Sequence, residues 1–141
     1  MSTIKKTSSI IVSAVIIAGI AFGLVDYLKP DQNEILHQFT LDAVYLKNDQ
    51  IVKISFEDKS NNTKSAVLEI LGMDVTYHKE YTFDNESIFV ETMFLDEIPK
   101  YGWKTTPVVL EIQHSEFGKI ALKTEIHETE TDVPKIIIEH R

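Results

Sequence analysis

Residues Val108 to Ile126, VVLEIQHSEFGKIALKTEI, alternate apolar and polar side chains on either side of a short polar break. Val108, Leu110 and Ile112 alternate with Glu111 and Gln113, and Ile120, Leu122, Thr124 and Ile126 alternate with Ala121, Lys123, Glu125 and His127. Successive side chains of a strand point to opposite faces, so this period of two predicts a hairpin with one buried and one wet face. HSEFGK is its turn, with Gly118 able to supply the positive φ such a loop needs. The same period recurs upstream, where Val52, Ile54 and Phe56 alternate with Lys53, Ser55 and Glu57.

Working outward, turn signals fall at Asn48-Asp49, Asn61-Asn62, Gly72, Asp84-Asn85, Pro99 to Gly102, Ser115 to Gly118 and Pro134. They delimit seven or eight strands, at roughly 37–47, 51–58, 65–71, 75–83, 87–95, 105–114, 119–127 and 135–140. Strands of this spacing predict an all-β, immunoglobulin-like antiparallel β-sandwich, with a small barrel as the alternative.

The N-terminal part reads differently. From Ser8 to Val25 the chain runs SSIIVSAVIIAGIAFGLV without a charge, and as a helix it would extend roughly 27 Å, close to the hydrocarbon thickness of a bilayer. The expected organisation is a cytoplasmic N-terminus at 1–7, a transmembrane helix or signal anchor at 8–25, a connector at 26–34 and an extracytoplasmic sandwich domain at 35–141. Lys5 and Lys6 precede the apolar run, so the positive-inside rule places the N-terminus in the cytoplasm and the domain outside a cell membrane. A cleaved signal peptide, with cuts near Gly19, Ala21 or Gly23, is the competing reading and exports the domain equally. Gly19 and Gly23 also share a helix face, which suits contact with another membrane helix.

Composition narrows the function classes. The first 25 residues hold Lys5 and Lys6 and no acid, so the remainder carries 12 of the 14 basic and all 22 acidic residues, a formal charge of 12 − 22 = −10. Such a surface repels phosphate backbones, and no nucleic-acid partner is expected. The chain has no cysteine, which excludes disulfides, cysteine-ligated zinc and iron–sulfur clusters. No GxSxG, HExxH or glycine-rich phosphate loop occurs, so neither enzymatic activity nor a cofactor is expected.

Candidate sites are few. His37 and His140 begin and end the domain and could meet across neighbouring strands, with Met93 as a further soft ligand for copper. Glu128, Glu130 and Asp132 alternate in HETETD and could hold calcium, although no glycine supplies the sharp turn of a calcium loop. His37, His78, His114, His127 and His140 otherwise read as exposed strand histidines, with His114 beside the hairpin turn and His127 opposite the region of Thr106. Asn61 and Asn85 open N-x-[ST] sequons in predicted turns, where glycans have room. Tyr101 and Trp103 sit together in PKYGW. They read either as a protein-binding loop or, for the tryptophan, as a plug over the end of the core.

The phrases YGWKTTPVVLEIQHSEFGKIALKTEI (Tyr101 to Ile126) and VLEILGMDVTYHKEY (Val67 to Tyr81), behind a KK-plus-apolar start, resemble uncharacterised single-pass, membrane-anchored envelope proteins of ammonia-oxidising archaea. That resemblance implies the anchored layout and brings no activity, ligand or site residue with it. The layout is also similar to the stator subunits of the archaellum, in architecture alone. The expected function is thus a membrane-tethered, non-enzymatic extracytoplasmic module that binds another envelope or membrane protein. An exported copper- or calcium-binding domain and an accessory subunit of a membrane enzyme complex are the alternatives.

Overall fold

The computed structural model describes residues 31–129 and 133–141. Gln32 to Arg141 form one compact unit, a sandwich of two β-sheets preceded by a short helix. Helix α1 covers Gln32–Gln38 and runs directly into β1, Phe39–Leu46. The remaining strands are β2 (Ile51–Asp58), β3 (Thr63–Ile70), β4 (Tyr77–Thr82), β5 (Ile88–Phe94), β6 (Pro107–His114), β7 (Gly118–Glu125), β8 (His127–Glu128) and β9 (Ile137–His140), with a 3-10 turn at Trp103–Thr105.

One sheet has four strands in the order β5-β2-β1-β8, and the other has five in the order β4-β3-β6-β7-β9. Three hairpins, β1–β2, β3–β4 and β6–β7, each lie within one sheet, while the intervening connections carry the chain from sheet to sheet. Alternation dictates the core. Leu41, Ala43 and Tyr45 of β1 and Val52, Ile54 and Phe56 of β2 face Ala66, Leu68 and Ile70 of β3, Leu110 and Ile112 of β6 and Ile120 and Leu122 of β7, all buried. These positions share one face of each strand, so their burial follows from the period-two pattern.

The β6–β7 hairpin pairs as the sequence predicts, from Pro107↔Glu125 to His114↔Gly118, and Gly118 has φ +72°. Gly72 is the other glycine with a mechanical role. Its φ is +79°, and a Cβ there would lie 1.8 Å from the carbonyl oxygen of Thr105.

Three expectations are corrected. Residues 32–38 are helical, so the strand expected at 37–47 starts at Phe39 and the compact unit starts at Gln32 rather than 35. Ile35 is fully buried and ties this helix to the core, which explains why the segment is not a loose connector. The sheet is not wholly antiparallel, because β8 pairs with β1 in parallel through Val44↔His127 and Tyr45↔Glu128. The strand expected to continue to His127 therefore ends at Glu125, and buried Ile126 turns the chain into the opposite sheet.

Candidate binding surface

Strand β5 forms one margin of the four-stranded sheet. Its pairing with β2 runs from Ile51↔Phe94 to Glu57↔Ile88. Just beyond the two ends, Leu95 N–H donates to the Gln50 carbonyl at 2.8 Å and Asp58 N–H donates to the Ser87 carbonyl at 2.9 Å. Backbone groups alternate direction along a strand. Odd-numbered residues therefore bond to β2, and Ile88, Val90, Thr92 and Phe94 turn their N–H and C=O groups outward. No described residue bonds these groups.

The same four residues carry the side chains of the outer face. Ile88, Val90 and Phe94 are 48%, 59% and 63% exposed, and Thr92 between them is exposed too. The result is an uncharged stripe along an open strand edge on an acidic domain. The other margins are guarded in the ways that discourage strand addition. Strand β4 exposes His78, Lys79 and Glu80, β8 has two residues and β9 has four.

The inward face of β5 explains why the strand stays flat against the sandwich. Phe89 stacks on Tyr81 of β4 with ring centroids 4.0 Å apart, within a group that includes Phe56 and Phe83. Glu91 Oε2 accepts hydrogen bonds from Lys79 Nζ and Tyr81 Oη, both at 2.6 Å. Burial raises the Glu91 pKa, but the bonds from Lys79 and Tyr81 outweigh it and hold the carboxyl below its ordinary range. Burial and the same carboxylate push the Tyr81 phenol strongly up.

A second polar cluster lies inside the fold, where the β2–β3 connection crosses between sheets. Asp58 Oδ1 accepts from Ser60 N–H at 2.9 Å and Ser60 Oγ at 2.6 Å. Asp58 Oδ2 accepts from the N–H groups of Asn62 and Thr63 at 3.1 and 2.9 Å and from Thr63 Oγ1 at 2.8 Å. His114 Nε2 lies 3.3 Å from both Asp58 Oδ2 and Ser60 Oγ, while its Nδ1 accepts from Glu116 and Phe117 N–H, both at 3.1 Å. Burial pushes the imidazole pKa down. Burial also acts to raise the Asp58 pKa, but the bonds from Ser60 and Thr63, with His114 nearby, keep it below the ordinary value.

Serine, histidine and aspartate side by side invite comparison with a hydrolytic triad, yet the connectivity is wrong for one. In a triad the carboxylate and the serine bind opposite ring nitrogens, so the imidazole can take the serine proton. Here both stand at Nε2, Nδ1 is occupied by two backbone donors, and the serine hydroxyl donates to the carboxylate. The side chains of Asp58 and His114 are fully enclosed. The cluster fastens an inter-sheet corner.

That corner also accounts for the two sequons. Thr63 and Ser87 are buried, Ser87 Oγ donates to the Thr63 carbonyl at 2.9 Å, and Asn61 Oδ1 accepts from Ser87 N–H at 3.2 Å. Asn61 and Asn85 themselves are exposed. Both hydroxyl positions thus have structural work independent of any glycan.

At the far end of the sandwich, Tyr101 and Trp103 separate. Trp103 packs on the core beside Tyr45, ring centroids 5.1 Å apart, and plugs that end, whereas Tyr101 is 76% exposed. A cleft of about 430 Å³ lies between them and Glu125, His127, Glu128 and Pro134.

Among the described residues the metal candidates do not converge. His37 is on α1, next to the four-stranded sheet, while His140 is on β9 of the five-stranded sheet, so they are not on neighbouring strands. Met93 packs against the core from β5. Glu128 is on β8, and Glu130 and Asp132 lie outside the described residues. Among the described residues no group of three or more histidine, aspartate or glutamate side chains could hold a metal ion. Nor are the histidines all exposed. His114 and His127 are buried, the latter with Nε2 2.6 Å from Asp42 Oδ1. Gly19, Gly23 and the apolar run 8–25 lie outside the described residues, and no helix among the described ones is long and apolar enough to cross a membrane.

The sequence places a strand at 87–95 but does not single it out as a binding surface, and it does not assemble the Asp58 corner. The signals were present as IFVETMF, whose even-numbered positions carry no charge, and as an aspartate followed by serine and threonine hydroxyls at a strand end. Comparison with protein-family models, curated proteins and solved structures yields no match.

Proposed function

We propose that this chain is a membrane-tethered, non-enzymatic binding module of the cell envelope, with an immunoglobulin-like sandwich presented outside the membrane, and that it engages protein through strand β5. The observation that carries this reading is the coincidence, on Ile88, Val90, Thr92 and Phe94, of outward backbone groups and exposed uncharged side chains. An added strand would satisfy the backbone, while the side chains would supply apolar area and set specificity. The uncharged N-terminal run and its preceding lysines support the tether and its orientation.

The test is photo-crosslinking in intact membranes, with a benzophenone amino acid replacing Thr92. A discrete covalent adduct is expected, and Val90→Lys, which places a charge on the stripe without touching the core, should abolish it. Absence of any adduct at Thr92, beside normal folding, would overturn the proposal.

A further inference from the structure

Resting on β5 as the binding surface, we infer that its partner is a second copy of this chain, added antiparallel so that two four-stranded sheets become one continuous sheet across a two-fold axis. The strand is complementary to itself. Pairing Ile88 with Phe94 of the second copy sets Val90 against Thr92, with both relationships repeated by symmetry. All four residues turn their backbone groups outward, so each such pair is a hydrogen-bonded one, and the outward N–H and C=O groups meet their counterparts. On the outer face, isoleucine meets phenylalanine and valine meets threonine, combinations favoured across strands. An isologous contact of this kind closes at two chains and does not propagate.

At the edge itself, charge leaves room for an uncharged partner strand. The chain after Val25 carries a net −10, so a partner chosen by electrostatics would be basic and would seek the carboxylates. The β5 stripe has no charge to offer it and matches an uncharged stripe instead. Glu91 falls opposite its own copy at the two-fold axis, but each carboxylate already holds a lysine at 2.6 Å, so two neutralised pairs meet there rather than two bare charges. The acidic remainder of the surfaces still repels, and a single strand edge buries less than the roughly 1,200 Å² of a stable complex. The dimer is therefore weak and tightens as salt screens the repulsion.

Full-length chain in detergent provides the test, with Gly19→Leu and Gly23→Leu in every sample so that helix packing cannot supply the contact. Sedimentation equilibrium should show a reversible monomer–dimer system, strengthened by salt and weakened at least tenfold by Val90→Lys. The absence of native cysteine allows the register to be read directly. A mixture of Val90→Cys and Thr92→Cys chains should oxidise to the mixed dimer, since hydrogen-bonded pairs place Cα atoms about 5.5 Å apart. Thr92→Cys alone should not link efficiently, because its diagonal neighbours lie roughly 7–8 Å apart. A chain that stays monomeric at all concentrations, or a dimer indifferent to Val90→Lys, overturns the inference. If the Thr92 adduct in membranes then has the mass of this chain plus a different protein, β5 remains the binding surface. If no adduct forms, both fall.

Discussion

Tyr81 and Glu91 join the margins of the two sheets, the phenol of β4 donating to the carboxylate of β5 at 2.6 Å. Lys79 completes the strut from the same side, so the edge proposed for partner binding is braced from within by a charge that solvent scarcely reaches. Removing the phenol oxygen leaves the lysine in place. Tyr81→Phe should therefore lower stability by about 1–2 kcal/mol, the worth of a hydrogen bond to a charged group at a partly buried site, as read by chemical denaturation.

The same strut has a spectroscopic consequence. The phenols of Tyr81 and Tyr77 are both pushed up, by burial and by Glu91. Ultraviolet titration of the native chain should show Tyr81 and Tyr77 ionising above the ordinary phenol range. In Glu91→Gln the tyrosine titration should shift downward.

Acid should weaken the fold in two stages. The folded imidazole of His114 has its pKa below the ordinary 6.5, so the unfolded chain binds that proton first, and stability falls as pH drops below about 6.5. Nδ1 cannot take the proton without confronting two backbone N–H groups. Asp58 has its pKa below the ordinary 3.8, and its contribution, intact above that value, is lost as pH falls through the folded-state pKa. Equilibrium denaturation from pH 7.5 downward checks the order, and His114→Gln should flatten the first stage.

Thr63→Val, which erases the Asn61 sequon, should destabilise even unglycosylated protein by about 1–3 kcal/mol, because it leaves a buried carboxylate oxygen short of a donor. Asn85→Gln erases the other sequon at an exposed residue and should stay within about 0.5 kcal/mol. Thermal melts of bacterially produced protein separate the two.

Gly72→Ala should cost more than about 2 kcal/mol, since the left-handed backbone alone costs roughly 1–2 kcal/mol and the new methyl would meet the Thr105 carbonyl at 1.8 Å. Gly118→Ala, with a similar φ and no atom within 4 Å of the added Cβ, should incur the backbone cost only. Their difference in denaturation midpoint isolates the close approach.

The strands were legible in the sequence because burial on one face imprints a period of two, and the β6–β7 turn was legible because a hairpin of that length wants a glycine at positive φ. Helix α1 was not, since only Ile35 among its residues is buried, with Leu36 half-buried beside it, and two adjacent apolar residues leave no periodicity. Asp31 and Glu34, spaced as in a capping box, were the available signal. The departure of β8 was hidden because Glu125, Ile126, His127 and Glu128 continue the alternation while the chain changes sheets. Only the near half of the Asp58 corner leaves a signal in spacing, in Ser60 and Thr63 just after the aspartate; the other half leaves none, as His114 is 54 residues from the serine it meets.

That corner also has two ages. Ser60, Asn62 and Thr63 reach Asp58 from within five residues, so their loop closes at little entropic cost and can form while the chain is still largely open. His114 arrives only when the β6 strand docks. Damage to the near half should therefore slow folding, whereas damage to the histidine should chiefly hasten unfolding, making one buried carboxylate a clock for the order in which the two sheets come together.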